Sequence, residues 1–359
     1  MKKILIQYNF ILHYRKAFFN ELSRHYEVTV YHSGNKTVTE NDKYQEIIVP
    51  IKKIGPFYLQ SGVLDAVKSD NYDIVIALFD VRWINTVLSI FFNKNSKFIW
   101  WGAWITKSKI ANFIRLFFTR KSFANVFYTN EARIDFINYG IDDYNLYVAN
   151  NTFDVGKRIK SYENDLKNSI LFVGSLDKRK QNDITITAFN NIINAIPKDI
   201  NLIIIGDGSE RKTLEELVLK LNIEKRVIFK GKITHADKLQ EYYKKAIVSI
   251  SFGQAGLSVL QALGFGVPFL TKTNAISGGE KTNIKHNKNG IFCDDNILSL
   301  EENLKYLCNN IGFARDLGEN AYQYYSDYCT IENMVQGFLD AIDGTKLANI
   351  DENNYKERK

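Results

Sequence analysis

Twice along the chain, short apolar runs alternate with stretches of helical spacing, and this alternation constrains the fold more than any other feature. In the first half, Lys3–Tyr8, Val28–His32, Asp73–Leu78, Lys97–Trp101 and Val126–Thr129 read as strands. Helical patterns occupy His13–Arg24, Trp83–Phe92, Lys107–Lys121 and Glu131–Tyr139. The pattern then restarts, with strand-like runs at Ser169–Val173, Leu202–Ile205, Val227–Lys230, Ile247–Ser251 and Val267–Leu270. Between these lie helical segments at Asp183–Ile196, Ser209–Leu221, Ala236–Lys245 and Leu257–Phe265. Strands that alternate with helices build a parallel sheet covered on both faces. The expected class is therefore α/β, with two Rossmann-like doubly wound domains facing a cleft.

The polar stretch from Asn150 to Asn168 reads as the linker, giving an N-terminal domain over 1–152 and a C-terminal domain over 153–330. The amphipathic segment 331–342 is expected to pack back toward the N-terminal domain, and the polar tail 343–359 to lack order. A chain of 359 residues has material for two such cores. With 45% hydrophobic and 24% charged residues, its composition excludes a disordered chain.

The net charge of +7 favours anionic partners such as phosphorylated substrates or an acidic membrane face. Its basic residues are scattered and form no recognition motif, so nucleic acid is not an expected partner. Cys293, Cys308 and Cys329 form no CxxC pair, which argues against a disulfide framework or zinc site and for a reducing cytosol. The apolar run after Lys3 is too short for a signal peptide, and no segment approaches the roughly 18–20 apolar residues that span a bilayer. The expected location is cytoplasmic, with peripheral contact at the inner face of the cell membrane.

In open α/β sheets, ligands bind beyond the carboxyl ends of the strands, so the loops that follow strands carry the chemistry. The first is Gly174-Ser175-Leu176-Asp177-Lys178-Arg179-Lys180, whose three adjacent cations suit a diphosphate or, equally, a solvated basic turn. Gly206-Asp207-Gly208-Ser209 lacks the third glycine of a dinucleotide fingerprint and reads as a structural turn. The most informative loop is Phe252-Gly253-Gln254-Ala255-Gly256-Leu257, where glycines admit close approach and the following helix points its N–H groups outward. Packing alone would also account for glycine here, though better for Gly264 and Gly266 than for Gly253 and Gly256.

These motifs, in order, resemble the donor half of a GT-B retaining glycosyltransferase, and most closely the large fourth family of those enzymes, group 1. The resemblance rests on Ile170–Asn182, Ile203–Arg211, Arg226–Gly231 and Gly256–Pro268, with Asn150–Asp154 resembling the interdomain crossover. In the first half it rests on strand order and on His13-Tyr14-Arg15-Lys16-Ala17-Phe18-Phe19. It implies a donor-diphosphate site at Arg179 and Lys180, with Gly174, Ser175 and Gly231 nearby. The family's arginine after the glycine is replaced here by Ser175. Its two glutamates, eight positions apart, are replaced by Gly253 and Gln261. Donor contacts then fall to Gln254, Ala255, Gly256 and Leu257, to Gln261 as a ribose partner, and to Glu280 in Ser277-Gly278-Gly279-Glu280, which would otherwise be an exposed loop residue. The family's histidine is also missing from Trp101-Gly102-Ala103-Trp104.

The implied reaction moves a hexose-type sugar from a nucleotide-sugar, UDP rather than GDP, to a glycan or polyprenyl-linked acceptor in surface polysaccharide synthesis. It retains anomeric configuration and requires no metal or cofactor. Asn9, His13, Tyr14 and Arg15 follow the first strand and are candidate acceptor contacts, as are Trp101 and Trp104 for stacking on a sugar face. Lys107–Lys121 carries Ile110, Phe113, Ile114, Phe117 and Phe118 at helical spacing, with five cations and no acid. It fits either an anionic membrane surface or a helix whose apolar stripe packs on the sheet. A catalytically silent nucleotide-sugar-binding partner and a sugar-nucleotide epimerase of the same build are the alternatives.

Overall fold

The computed structural model describes residues 1–345; the tail from 346 onward, expected above to lack order, lies outside the described residues. The chain forms two compact units, Met1–Asn151 with the segment from Ile331 onward, and Thr152–Thr330.

The first unit has strands β1 (Lys3–Gln7), β2 (Glu27–His32), β3 (Gln45–Ile48), β4 (Ile51–Ile54), β5 (Phe57–Gln60), β6 (Ile74–Leu78), β7 (Lys97–Trp101), β8 (Ala124–Phe127) and β9 (Leu146–Val148). Its first five helices are α1 (Lys16–Leu22), α2 (Val63–Lys68), α3 (Ile84–Leu88), α4 (Lys109–Lys121) and α5 (Asn130–Asn138). Seven strands form one sheet in the order β3-β2-β1-β6-β7-β8-β9, every pair parallel. Ile74, Val75, Ile76 and Ala77 are all buried because helices cover both faces of the sheet.

The second unit has β10 (Ser169–Val173), β11 (Asn201–Ile205), β12 (Val227–Gly231), β13 (Ala246–Ile250), β14 (Phe269–Lys272) and β15 (Gly290–Cys293). The helices are α6 (Asn182–Ile192), α7 (Arg211–Lys220), α8 (Ala236–Lys245), α9 (Ser258–Gly264), α10 (Ile297–Asn309) and α11 (Ile311–Tyr328). The sheet order is β12-β11-β10-β13-β14-β15, again all parallel. Crossovers run outward in both directions from β10 and β13. This order leaves the carboxyl ends of these two strands uncovered, which makes their loops the place for a ligand.

The final helix, α12 (Ile331–Asp343), belongs to the first unit. Phe338 packs against Phe18 and Trp101, and Gly337 lets the helix backbone approach β9, since a Cβ there would sit 2.3 Å from the Val148 carbonyl oxygen. Several elements have no clear periodicity in the sequence. The antiparallel β4–β5 hairpin is one, because three of its apolar residues, Ile51, Ile54 and Phe57, are exposed rather than core-facing. β15 is four residues long and opens on glycine.

Candidate functional site

The loop after β10 and the loop after β13 touch directly. Gly253 donates its backbone N–H to the Lys180 carbonyl at 3.1 Å. A Cβ at Gly253 would lie 2.2 Å from the Arg179 carbonyl oxygen and 2.8 Å from Gln181 Cγ, so only glycine fits this crossing. Gln181 adopts φ 55°, which turns the chain sharply out of the Lys178–Lys180 helical turn and into α6. The neighbouring loops are packed the same way. Gly206 has φ 149°, and a Cβ on it would meet the Gly174 carbonyl oxygen at 1.8 Å. Gly208 likewise faces the Leu176 carbonyl. The Gly206–Gly208 turn therefore buttresses the basic loop from behind. Gly231 sits at φ 69°, and its carbonyl accepts the Gly206 N–H at 2.8 Å.

Along Ser251–Ser258 the carbonyl oxygens are mostly consumed while several N–H groups are not. Ser251 Oγ donates to the Gln254 carbonyl at 2.7 Å, and Thr271 Oγ1 donates to the Ser251 carbonyl at 2.8 Å. The Gly253 carbonyl accepts from Ile276, that of Gly256 from Val259, and that of Leu257 from Gln261. The backbone N–H groups of Gln254, Gly256, Leu257 and Ser258 have no acceptor among the described residues, and all four residues are partly exposed. Ala255 does not join them, contrary to expectation, because its N–H donates to the Ile276 carbonyl at 2.9 Å. A row of unspent donors with tied-back carbonyls is an anion cradle. α9 has seven residues, so its dipole adds little and the local N–H groups carry the attraction.

Lys180 is buried to 8% exposure, and its Cε lies 3.6 Å from the Cβ position of Gly174. Burial is the main influence on its ammonium and holds its pKa below the ordinary lysine value; Asp177 and Glu280 act in the opposite direction and Arg179 reinforces the lowering. A bound diphosphate would favour the charged form. Arg179 differs: its side chain is exposed, and it forks onto Asp177 through Nε at 3.1 Å and Nη2 at 3.0 Å. Ser175 Oγ donates to the same carboxylate at 2.7 Å. Of the two expected cations, Lys180 is held in place by burial, whereas Arg179 must leave Asp177 to reach a ligand.

Glu280 is buried to 8% exposure, not the exposed loop residue that its context equally allowed. Its carboxylate accepts the Gly278 N–H at 3.1 Å and the Ser277 hydroxyl at 3.4 Å. Gln261 is the opposite case. Its Oε1 accepts from the fully buried Tyr243 hydroxyl at 3.2 Å, so the side chain points into the core rather than toward a ribose. The sequence alone pointed to Gln254 but not to Gln181, Asn182 or Ser258. Gln181 Oε1, both polar atoms of the Asn182 side chain, Gln254 Oε1 and Ser258 Oγ are buried without a hydrogen-bond partner in the protein. Buried polar atoms are nearly always satisfied, so such a cluster beside the two loops marks where a ligand's polar atoms belong. Their adjacency to Lys180 and Leu257 was the available signal.

The acceptor candidates lie in the first unit and divide sharply. Trp101 is fully buried against Tyr8, Phe18 and Phe338, which removes it from any sugar face. Arg15 is also buried, with its guanidinium 4.9 Å from the Trp101 ring and Nη2 2.9 Å from Asn151 Oδ1; it holds α1 to the core rather than meeting a ligand. His13 is exposed, Tyr14 and Asn9 are partly exposed, and Asn9 Oδ1 is a buried atom without a partner. Trp104 is 48% exposed, with the Arg115 guanidinium 5.5 Å from its ring.

The pKa shift of Lys180 has a measurable consequence. The ammonium grips an anion while protonated and loses that grip as pH rises through its lowered pKa. UDP affinity, measured by titration calorimetry, is expected to fall at a pH below the ordinary lysine value of 10.5. Lys180→Arg, whose charge persists, should flatten that profile.

Residues 156–324 match the family described as "Glycosyl transferases group 1". The "GalNAc-alpha-(1->4)-GalNAc-alpha-(1->3)-diNAcBac-PP-undecaprenol alpha-1,4-N-acetyl-D-galactosaminyltransferase" of Campylobacter jejuni is 30% identical over 165 residues, covering 45% of this chain and 44% of that protein. The "Poly(ribitol-phosphate) alpha-N-acetylglucosaminyltransferase" of Staphylococcus aureus is 22% identical over 214 residues, covering 59% of this chain and 42% of that protein. The chain thus spans less than half the length of these two relatives. HepE of Anabaena, solved in complex with UDP, superposes with a TM-score of 0.74 at 15% identity, over 96% of this chain and all of that one. The chain has the GT-B fold, and its residues 156–324 match the group 1 glycosyltransferase family.

Proposed function

We propose that this chain is a retaining glycosyltransferase that moves a hexose-type sugar from a UDP-sugar to a glycan or polyprenyl-linked acceptor in surface polysaccharide synthesis. The observation that carries the reading is the row of unspent N–H groups at Gln254, Gly256, Leu257 and Ser258 beside buried Lys180. As the glycosidic bond to the diphosphate breaks, negative charge grows on the leaving oxygen. Fixed N–H donors and a desolvated ammonium lower the barrier because they are already oriented when that charge appears. Glu280 supplies a buried carboxylate for hydroxyls of the transferred sugar, the role that no side chain at Gly253 can take. Arg179 closes on the phosphates by exchanging Asp177 for the ligand.

The UDP-bound state of HepE favours UDP as the base carrier, and the undecaprenol-linked name of the Campylobacter relative favours a lipid-linked acceptor. Glycine at position 253 also keeps open a silent nucleotide-sugar-binding role. One experiment separates the two. The purified protein is incubated with UDP- and GDP-linked hexoses and synthetic polyprenyl-diphosphate glycans, and products are resolved by mass spectrometry and NMR. A new α-linked product from a UDP-sugar is expected. Tight UDP binding with neither donor hydrolysis nor product would assign the silent role, and no binding at all would overturn both.

A further inference from the structure

Helix α4 turns a mixed polar and apolar side inward and leaves a second apolar stripe outside. Its inward stripe is Asn112, Arg115, Leu116 and Thr119, all buried. Polar groups hold that stripe in place. Asn112 exchanges hydrogen bonds with Thr106, accepting its N–H at 2.8 Å and donating to its carbonyl at 2.7 Å. Arg115 reaches Thr106 Oγ1 at 3.4 Å, and Asn125 donates to the Thr119 carbonyl at 3.2 Å. The opposite stripe, at spacings of three, four and four, is Ile110, Phe113, Phe117 and Lys121. Ile110 is 76% exposed, Phe113 73% and Phe117 41%. Of the apolar residues at helical spacing, Phe118 is buried and Ile114 packs partly against the same core, so the expectation that this stripe packs inward holds for these two and fails for Ile110, Phe113 and Phe117.

The exposed face continues beyond the helix. Phe91, 51% exposed, lies with its ring centroid 6.4 Å from that of Phe117, and Lys121 Nζ stands 5.1 Å from the Phe117 ring and 5.9 Å from the Phe91 ring. Phe92 is exposed beside it, with Lys68 Nζ 4.6 Å from its ring. From Val81 to Asn130 the sequence has eight cations (Arg82, Lys94, Lys97, Lys107, Lys109, Arg115, Arg120 and Lys121) and no Asp or Glu. Among the described residues, Lys94, Lys107, Lys109, Arg120 and Lys121 form no ion pair with an acid.

A solvated helix shows its polar face, and a helix partnered inside a domain buries its apolar one. This helix buries Leu116 and Phe118 and still leaves a second apolar stripe in solvent. We infer that the face of Ile110, Phe113, Phe117, Phe91 and Phe92 is a docking surface for an anionic lipid bilayer. The aromatic and aliphatic side chains enter the headgroup–acyl boundary while the surrounding cations meet lipid phosphates. No described helix is long and apolar enough to cross a membrane, so the contact is with its surface. Charge decides the occupant: five cations without an acid partner repel a second copy of the same face and attract negatively charged headgroups.

The test uses the full chain and sedimentation with vesicles, without donor or acceptor, so its outcome is independent of glycosyl transfer. Binding is expected to an equal mixture of phosphatidylglycerol and phosphatidylcholine, and not to phosphatidylcholine alone. The double variant Ile110→Ser/Phe113→Ser should bind at least about tenfold more weakly. Lys107→Gln and Lys109→Gln should each cost about fivefold, an effect erased in high salt. Circular dichroism should show these variants folded, because the substituted side chains face solvent. Absence of binding to the mixed vesicles would overturn the inference, as would unchanged binding by Ile110→Ser/Phe113→Ser. Concentration-dependent self-association without lipid, abolished by that same variant, would assign the face to a second copy and overturn it equally.

Discussion

Lys180→Met is expected to lower the rate of sugar transfer by about 100- to 1,000-fold, the usual effect of removing one group that stabilises charge in the transition state. Methionine fills nearly the same volume, so the buried stem beside Gly174 keeps its packing while the ammonium is lost. UDP affinity should weaken by at least about tenfold, since a charge-assisted contact to phosphate contributes about 1.5–3 kcal/mol. Arg179→Met should cost less in both measurements, because the exposed Arg179 side chain starts out bound to Asp177 and that pair must be broken before it helps. Steady-state kinetics and calorimetry on the two variants give the comparison. If Lys180→Met turned over near the wild-type rate, the diphosphate would have to be held elsewhere.

Gly253→Glu is the second large effect, and its direction runs against simple restoration of a family residue. The substitution returns the glutamate that the group 1 resemblance expects, yet a Cβ at this point meets the Arg179 carbonyl oxygen at 2.2 Å. The basic loop must move away, breaking the bond from the Gly253 N–H to the Lys180 carbonyl and displacing Lys180 itself. Overpacking of this kind costs about 1–3 kcal/mol of stability. The expected result is a lower melting temperature together with loss of measurable UDP binding. Gly253→Ala should behave similarly, because the clash begins at Cβ and not at the carboxylate. Stronger UDP binding or faster transfer in Gly253→Glu would show that the contact between the two loops yields easily and that glycine is not required by it.

These two variants also explain why the site was only partly legible in the sequence. The motif order, Gly174 to Lys180 and then Gly253 to Gln261, placed both loops after strands of a parallel sheet. It did not reveal that the loops touch, since that depends on β10 and β13 being neighbours although 72 residues lie between the end of one and the start of the other. Gln261 looked available because glutamine can always offer both a donor and an acceptor. The Tyr243 hydroxyl, 18 residues earlier, claims the acceptor. Glu280 looked like a loop residue, and burial with two hydrogen bonds to its carboxylate holds that side chain in one position. Arg15 and Trp101 each had a plausible surface role, and the packing of α12 over the same core takes both out of solvent.

Periodicity along the chain by itself determined the class of fold and the doubly wound character of both units, because strand burial and helix amphipathicity are local patterns repeated many times. It also determined that Lys107–Lys121 is a basic amphipathic helix. Which way that helix faces was decided only by tertiary structure: Asn112 and Arg115 find partners in the Thr106 loop, and satisfying those buried polar groups turns Ile110 and Phe113 outward. The same holds for the donor loops. A sequence specifies how many N–H groups a turn contains, but which of them remain unspent depends on the carbonyls that the rest of the fold brings within reach.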